Sequence, residues 1–415
     1  MKRCLALLLL GLLPALACSG GAAGSRASAS SSPRPSPRPS QTALPSPEGT
    51  ATPSPLALKD PGPLNLRWQP VAGGLVAPWE IAFLPDGRAL ISERPGRIRL
   101  LDKSGLKGDP VLSLRVSAVG ESGLLGLALH PRYPSSPFLY VYYTYRSDQG
   151  PTNKVVRFNV QDKAAEGLTL SDEQVILDGI AGDGGCCHFG GRIKFGPDGN
   201  LYVTTGDGRH PDRSPDLKSL NGKILRVNEA GQPVAGNPLP SSPVYASGLR
   251  NPQGLAWDPM QRLYASENGP TGEFGFCCHD EVNLIQPGGY YGWPAYAGNA
   301  KTGQAGGSNP IAPVLESGAD VAWAPSGATF FSPSLDERPT LLVATLNGRA
   351  LRRVFLDPAQ PEKALKVETL LSDHGRLRDA VANPVDHCLY VLTSNRDNRG
   401  SPQADDDQVL RGCPS

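Results

Sequence analysis

One motif recurs along the chain and restricts the fold more than any other feature. It is an alternating apolar run, a turn built on Pro with Asp or Gly, and a second apolar run. It reads WEIAFLPDGRALIS from Trp79, GLLGLALHPRYPSSPFLYVYY from Gly123 and GRIKFGPDGNLYVTT from Gly191. It returns as GLAWDPMQRLYAS from Gly254, GATFFSPSLDERPTLLVAT from Gly327 and DAVANPVDHCLYVLT from Asp379. Each copy is a hairpin by its own chemistry: period-two alternation turns one face of a strand to a core, and the turn residues reverse the chain. A further strand-like stretch follows each copy: GRIRLLD, NKVVRFNV, GKILRVN, EVNLI, GRALRRVFL and DDQVLRG. Copies of a three- to four-strand meander at spacings of roughly 45 to 75 residues predict an all-β, six-bladed β-propeller over residues 61–415. No stretch carries long helical periodicity. The segment Asn65 to Pro70 precedes blade one and can close the ring by adding a strand to the last blade.

The chain ahead of the repeats has a different character. Lys2 and Arg3, an apolar run from Leu5 to Leu13 and the small residues before Cys18 form a signal peptide over residues 1–17. The apolar run is too short to span a bilayer. A cysteine directly after the cleavage position predicts lipidation at Cys18, the alternative being plain secretion. Residues 18–60 are rich in Ser, Pro, Ala and Gly with few aliphatics, so they cannot bury enough apolar surface to offset chain entropy. They are expected to be a disordered tether, reaching on the order of 35 Å as a coil. This places the propeller in the cell envelope, on the periplasmic or extracellular face, attached to a membrane by lipid only. A formal net charge of +1 leaves no electrostatic footprint for nucleic acid.

Within the third copy, His188 stands before the hairpin and Asp207 just after its second strand. A hairpin pairs the start of one strand with the end of the other, so the two belong at one rim. An imidazole oriented by a carboxylate there is a candidate general base; the bland alternative is a loop histidine beside a turn aspartate. In the fourth copy Arg250 and Asn251 enter a strand at Pro252, offering a charged fork and an amide at a rim.

The motifs HFGGRIKFGPDG, LNGKILRVN, SGLRNPQGLAWDP and RLRD, in this order from about Leu75 to the end, resemble the soluble quinoprotein sugar dehydrogenases. These are the aldose sugar dehydrogenase branch of the glucose dehydrogenase family that uses pyrroloquinoline quinone (PQQ). The resemblance implies the same six-bladed fold and oxidation of aldose sugars at the anomeric carbon. It assigns His188 as the base for the anomeric hydroxyl, Asp207 as the carboxylate that orients it, and Arg250, with Asn251 beside it, as the group near the reactive quinone carbonyl. Arg376 and Arg378 match a pair that binds cofactor carboxylates, a task suited to planar guanidinium groups. The resemblance also implies two Ca²⁺ ions. One rests on the carbonyls of Gly269 and Pro270 and the other on Glu281 and the carbonyl of Tyr291, oxygen donors suited to a hard cation. Without the resemblance, Asp280 and Glu281 read as solvent-facing acids. At two cofactor positions the chain departs from the family: Asn347 stands where some members carry lysine, and Glu121 where glutamine is common. A carboxylate toward an anionic cofactor is repulsive unless it is paired or protonated.

Beyond Cys18 the body carries Cys186, Cys187, Cys277, Cys278, Cys388 and Cys413, in keeping with an oxidising compartment. Cys388 and Cys413 fall on neighbouring strands of the last blade and are expected to be bridged. Each adjacent pair is followed by a histidine, His188 or His279. Vicinal disulfides, bridges cross-linking the two loops and a Cys/His metal cluster all fit, with the cross-link the simplest way to fix two long loops. The chain contains no cytochrome segment, so electrons are expected to leave to a separate acceptor, a quinone or a cytochrome. Two further classes stay open on residues alone: a sugar- or glycan-binding propeller without redox turnover, and a calcium-dependent lactonase-type hydrolase.

Overall fold

The computed structural model describes residues 58–163 and 167–414. The expected signal peptide, Cys18 and the tether up to residue 57 lie outside the described residues. Leu58 to Asp60, the last residues of the expected tether, run along blade five. There the Lys59 N–H donates to the Asp336 carbonyl at 2.8 Å and Arg338 pairs with Asp60 at 3.0 Å.

The period-two runs form the strands they predict. Blade one is Pro78–Phe83, Ala89–Glu93 and Arg97–Asp102, its outer edge covered by the short strands Gly105–Leu106 and Leu112–Ser113. Blade two is Leu124–Leu129, Phe138–Ser147, Gly150–Lys163 and Gly167–Ala181; blade three is Ile193–Phe195, Leu201–Thr205, Lys223–Val227 and Val244–Ser247. Blade four is Pro252–Trp257, Leu263–Glu267, Glu281–Ile285 and Leu315–Glu316. Blade five is Pro325–Phe331, Thr340–Thr345, Ala350–Leu356 and Ala364–Leu370. In the last blade Leu377–Ala382, Leu389–Thr393 and Val409–Pro414 are joined on the outside by Leu66–Ala72, from the start of the body. The described residues therefore form a six-bladed propeller, closed by the N-terminal strand as the sequence suggests. Among them only Pro211–Arg213 and Glu273–Gly275 are helical, each a single 3₁₀ turn, and no helix is long and apolar enough to cross a membrane.

Each gap between neighbouring blades is filled by its own apolar cluster. Leu90 and Ile98 of blade one meet Leu139 and Val141 of blade two; Tyr202 and Ile224 of blade three meet Leu255 and Ala265 of blade four. Ile91 meets Leu392 across the closing gap between blades one and six. Burying such side chains contributes about 1.5–3 kcal/mol each, and the contribution is spread round the ring. Within the last blade, Cys388, just before Leu389–Thr393, forms a disulfide with Cys413 of Val409–Pro414 and ties the C-terminal strand to its neighbour.

The axis carries charge. Arg192, fully buried on blade three, has Nη1 2.9 Å from Glu80 of blade one and 3.1 Å from Asp379 of blade six. Arg192 Nη1 has no hydrogen-bond partner, so these contacts are ionic; the Arg192 Nε–H does donate to the Gln253 carbonyl of blade four at 2.8 Å. Its guanidinium also lies 4.2 Å above the Trp79 ring.

Candidate active site

The expected site residues gather at one rim for a topological reason: they lie just before an innermost strand or just after a second strand. His188 precedes Ile193–Phe195 and Asp207 follows Leu201–Thr205; Arg250 and Asn251 precede Pro252–Trp257; Arg376 and Arg378 begin the inner strand of blade six. Antiparallel pairing puts these ends of the blades together.

His188 is buried, with φ 62°, and its Nδ1 lies 2.7 Å from Asp207 Oδ1. Gly206 makes this approach possible, since a Cβ there would sit 2.0 Å from the His188 carbonyl oxygen. The Asp207 carboxylate also accepts the Arg209 N–H at 2.7 Å and the Trp293 Nε1–H at 2.8 Å. With the carboxylate serving as acceptor, Nδ1 carries the imidazole proton and Nε2 presents its lone pair to the rim. Arg250 is held by the Asn268 carbonyl at 3.0 Å and by Glu273, and its backbone carbonyl accepts the Asp207 N–H at 2.8 Å. Asn251 Oδ1 accepts the Gly190 N–H at 3.0 Å, tying the histidine loop to blade four.

Beside this pair lies a small cavity lined by Arg94, Arg376, Arg378 and Arg399 together with Glu121 and Asp397. Four guanidinium groups face two carboxylates, an excess of two positive charges. Arg376 is already committed, its Nε and Nη2 donating to Asp397 at 3.0 and 2.8 Å. Arg378 is not: Nη1 donates to Gln253 at 2.9 Å, Asp397 is 3.7 Å away, and Nε is buried without a partner. Burial draws the Arg378 guanidinium down to about 9, and burial likewise lowers Arg94. The Nε atoms of Arg94 and Arg250 are also buried and unpartnered. Unsatisfied buried donors are costly, and a polyanionic ligand would satisfy them.

Glu121 is paired. Its Oε1 lies 2.6 Å from Arg399, and Oε2 accepts the His188 N–H at 3.1 Å. Burial pushes its carboxyl up, but Arg399 and His188 outweigh that and hold it below the usual carboxylate range. Asn347 is exposed, its amide donating to the Ala322 carbonyl at 3.1 Å, while its neighbour Leu346 lines the cavity.

The expected calcium positions fall on blade four. Asp280 and Glu281 do not face solvent: both are buried. Asp280 accepts the N–H groups of Gly269, Trp323 and Ala324 at 2.8, 2.6 and 2.9 Å, which fixes the Gly269–Pro270 turn. Glu281 sits directly opposite Glu267 across the strand pair, and the Asn283 amide bridges them at 2.9 and 3.3 Å. Burial and the facing carboxylate hold Glu267 well above the usual range; burial does the same to Glu281. Tyr291 is buried, its hydroxyl donating to the Leu284 carbonyl at 2.8 Å. Among the described residues no three His, Cys, Asp or Glu side chains surround a cation position, so a cation here would rest largely on backbone carbonyls.

The paired cysteines correct an expectation. They do not cross-link the loops: Cys186 bonds to Cys187, and Cys277 to Cys278. The reason is local anchoring. Asp183 accepts the N–H groups of both Cys186 and Cys187, the Cys186 carbonyl accepts the Glu121 N–H at 2.7 Å, and Cys277 pairs with Thr271 inside its own loop. With three bridges closed, thiol labelling in denaturant without reductant is expected to find no reactive cysteine among these six. Labelling of either adjacent pair, with zinc or copper bound, would overturn the assignment in favour of a Cys/His metal cluster.

A family model, Glucose / Sorbosone dehydrogenase, matches residues 75–401. The chain belongs to that family. An uncharacterised protein of Synechocystis is 34% identical over 369 residues, 80% of this chain and 84% of that one. Quinoprotein glucose dehydrogenase B of Acinetobacter calcoaceticus is 28% identical, covering 82% of this chain and 87% of its own. The structure of the PQQ-bound form of the aldose sugar dehydrogenase from Streptomyces coelicolor superposes with a TM-score of 0.73 at 36% identity, over 84% of this chain and 98% of that one. Family membership supports sugar oxidation as the general activity of the chain. It also makes it informative that Trp293, Arg399, Asp397 and Glu273 were not read from the sequence. They reach the site from distant loops, and only their residue types, not their spacing, could have hinted at them.

Proposed function

We propose that this chain is a PQQ- and Ca²⁺-dependent aldose dehydrogenase of the cell envelope, oxidising the anomeric carbon to the lactone and passing electrons to a separate acceptor. The observation that carries the reading is the free Nε2 of His188, locked by Asp207, next to a cavity with surplus guanidinium groups and unpartnered N–H donors. His188 Nε2 accepts the proton of the anomeric O–H as that oxygen becomes a carbonyl, and Asp207 stabilises the resulting imidazolium. Arg378, Arg94 and Arg250 would hold the carboxylates and carbonyl oxygens of PQQ, with Glu121 kept from repelling it by Arg399. When bound, PQQ supplies the quinone that takes up the hydride of C1. The carbonyls of Gly269 and Pro270 would hold one Ca²⁺, whose charge would polarise the quinone, and the carboxylate of Glu281 with the carbonyl of Tyr291 would hold a second, structural one, whose charge would relieve the Glu267–Glu281 opposition. The leader and Cys18 support lipid attachment, with the propeller held off the membrane by the tether.

The test is direct. The apoprotein with PQQ and Ca²⁺ is expected to reduce a redox dye with glucose, and excess chelator is expected to abolish this and lower the melting temperature. A melting curve and turnover both indifferent to chelator would remove Ca²⁺ from the reading. No dye reduction with any aldose would remove the dehydrogenase.

A further inference from the structure

The segment between Gly272 and Gly275 brings two side chains into the rim that the chemistry above leaves unused. Glu273 Oε1 contacts Arg250 and lies 3.6 Å from His188 Nε2, and its other oxygen accepts the Thr271 N–H at 2.6 Å. Burial pushes this carboxyl up, but Arg250 outweighs it and holds it at about 2, so it is an acceptor at any working pH. Phe274 beside it lies 5.5 Å from Trp293, the ring whose N–H holds Asp207, and is 40% exposed. The Thr271–Cys277 pairing closes the base of the segment.

An imidazole lone pair and a carboxylate oxygen at this separation suit two neighbouring hydroxyls of one ring. Each O–H can donate to one acceptor at an ordinary length of about 2.7–3.0 Å. A carboxylate has enough lone pairs to keep Arg250 while accepting a hydroxyl. An exposed aromatic face beside them suits the apolar side of a pyranose. We propose that Glu273 is a specificity-determining residue that accepts the hydroxyl next to the reacting one, the C2 hydroxyl of an aldose, with Phe274 as the platform under the ring. This rests on the reading of His188 Nε2 as the acceptor for the anomeric hydroxyl. A site built to bind a hydroxyl rejects the analogue that lacks it, because its own polar group is then left unpaired.

The experiment compares D-glucose with 2-deoxy-D-glucose in wild type, Glu273→Ala and Glu273→Leu. Sugar binding is read by tryptophan fluorescence and turnover by dye reduction with PQQ and Ca²⁺, with melting temperature as the folding control. Wild type is expected to prefer glucose by about tenfold or more in both readouts, and both variants are expected to lose most of that preference. A folded variant that keeps the full preference overturns the proposal, as does a wild type that binds the two sugars equally. If the binding preference collapses in the variants while wild type shows no PQQ-dependent turnover, the subsite stands and the dehydrogenase reading falls. If wild type turns over and the preference does not move in the variants, the dehydrogenase stands and the subsite falls.

Discussion

Replacing His188 by alanine or glutamine is expected to lower aldose turnover by about two to four orders of magnitude, the usual size of a general-base contribution. PQQ binding should survive, because Arg378, Arg94 and Arg399 provide the charge around the cavity and the imidazole does not line it. Arg378→Ala should behave in the reverse way. It removes a buried guanidinium with an unpartnered Nε, so PQQ affinity drops while enzyme saturated with cofactor keeps much of its rate. Titration of PQQ into each variant, followed by dye-linked kinetics at saturation, separates the two effects. If His188→Ala oxidises sugar at near the wild-type rate with PQQ bound, the proton leaves by another route and the assignment of His188 is wrong.

The largest effect on stability is expected at the axis. Arg192→Leu leaves Glu80 and Asp379 facing each other in a dry interior, with Lys194 as the cation still near them. Removing one partner of a buried ionic group costs about 3–5 kcal/mol. Denaturant titration should show that loss. Removing these three charges together, with Arg192→Leu, Glu80→Gln and Asp379→Asn, should recover much of it, since the penalty comes from the stranded carboxylates. An Arg192→Leu protein within about 1 kcal/mol of wild type would show that the axial carboxylates shed their charge without cost.

The propeller was legible because its information is local. Each hairpin carries its own alternation and turn, and the same logic placed His188 and Asp207 at one rim, since strand pairing alone brings the ends of Ile193–Phe195 and Leu201–Thr205 together. What was hidden depends on contacts between loops of different blades. Trp293 reaches Asp207 across 86 residues and Arg399 reaches Glu121 across 278, distances over which no period or spacing carries a signal. The cysteine loops show the same limit, because adjacency does not say whether a loop is anchored to itself or to its neighbour. Burial of Asp280 and Glu281 was also invisible, for acidic residues before a strand ordinarily face water.

The seam where Leu66–Ala72 lies against Val409–Pro414 has a consequence for how the molecule is made. A chain emerging from the ribosome exposes the first strand of that pair more than three hundred residues before its partner exists. During that interval Leu66–Ala72 is an unpaired strand edge, open to any other extended segment nearby. Five blades can assemble in order as they appear, but the ring stays open and its last gap unfilled until the final turn of synthesis. A nascent chain stopped before Val409 should therefore be captured by chaperones through its front end rather than its unfinished tail.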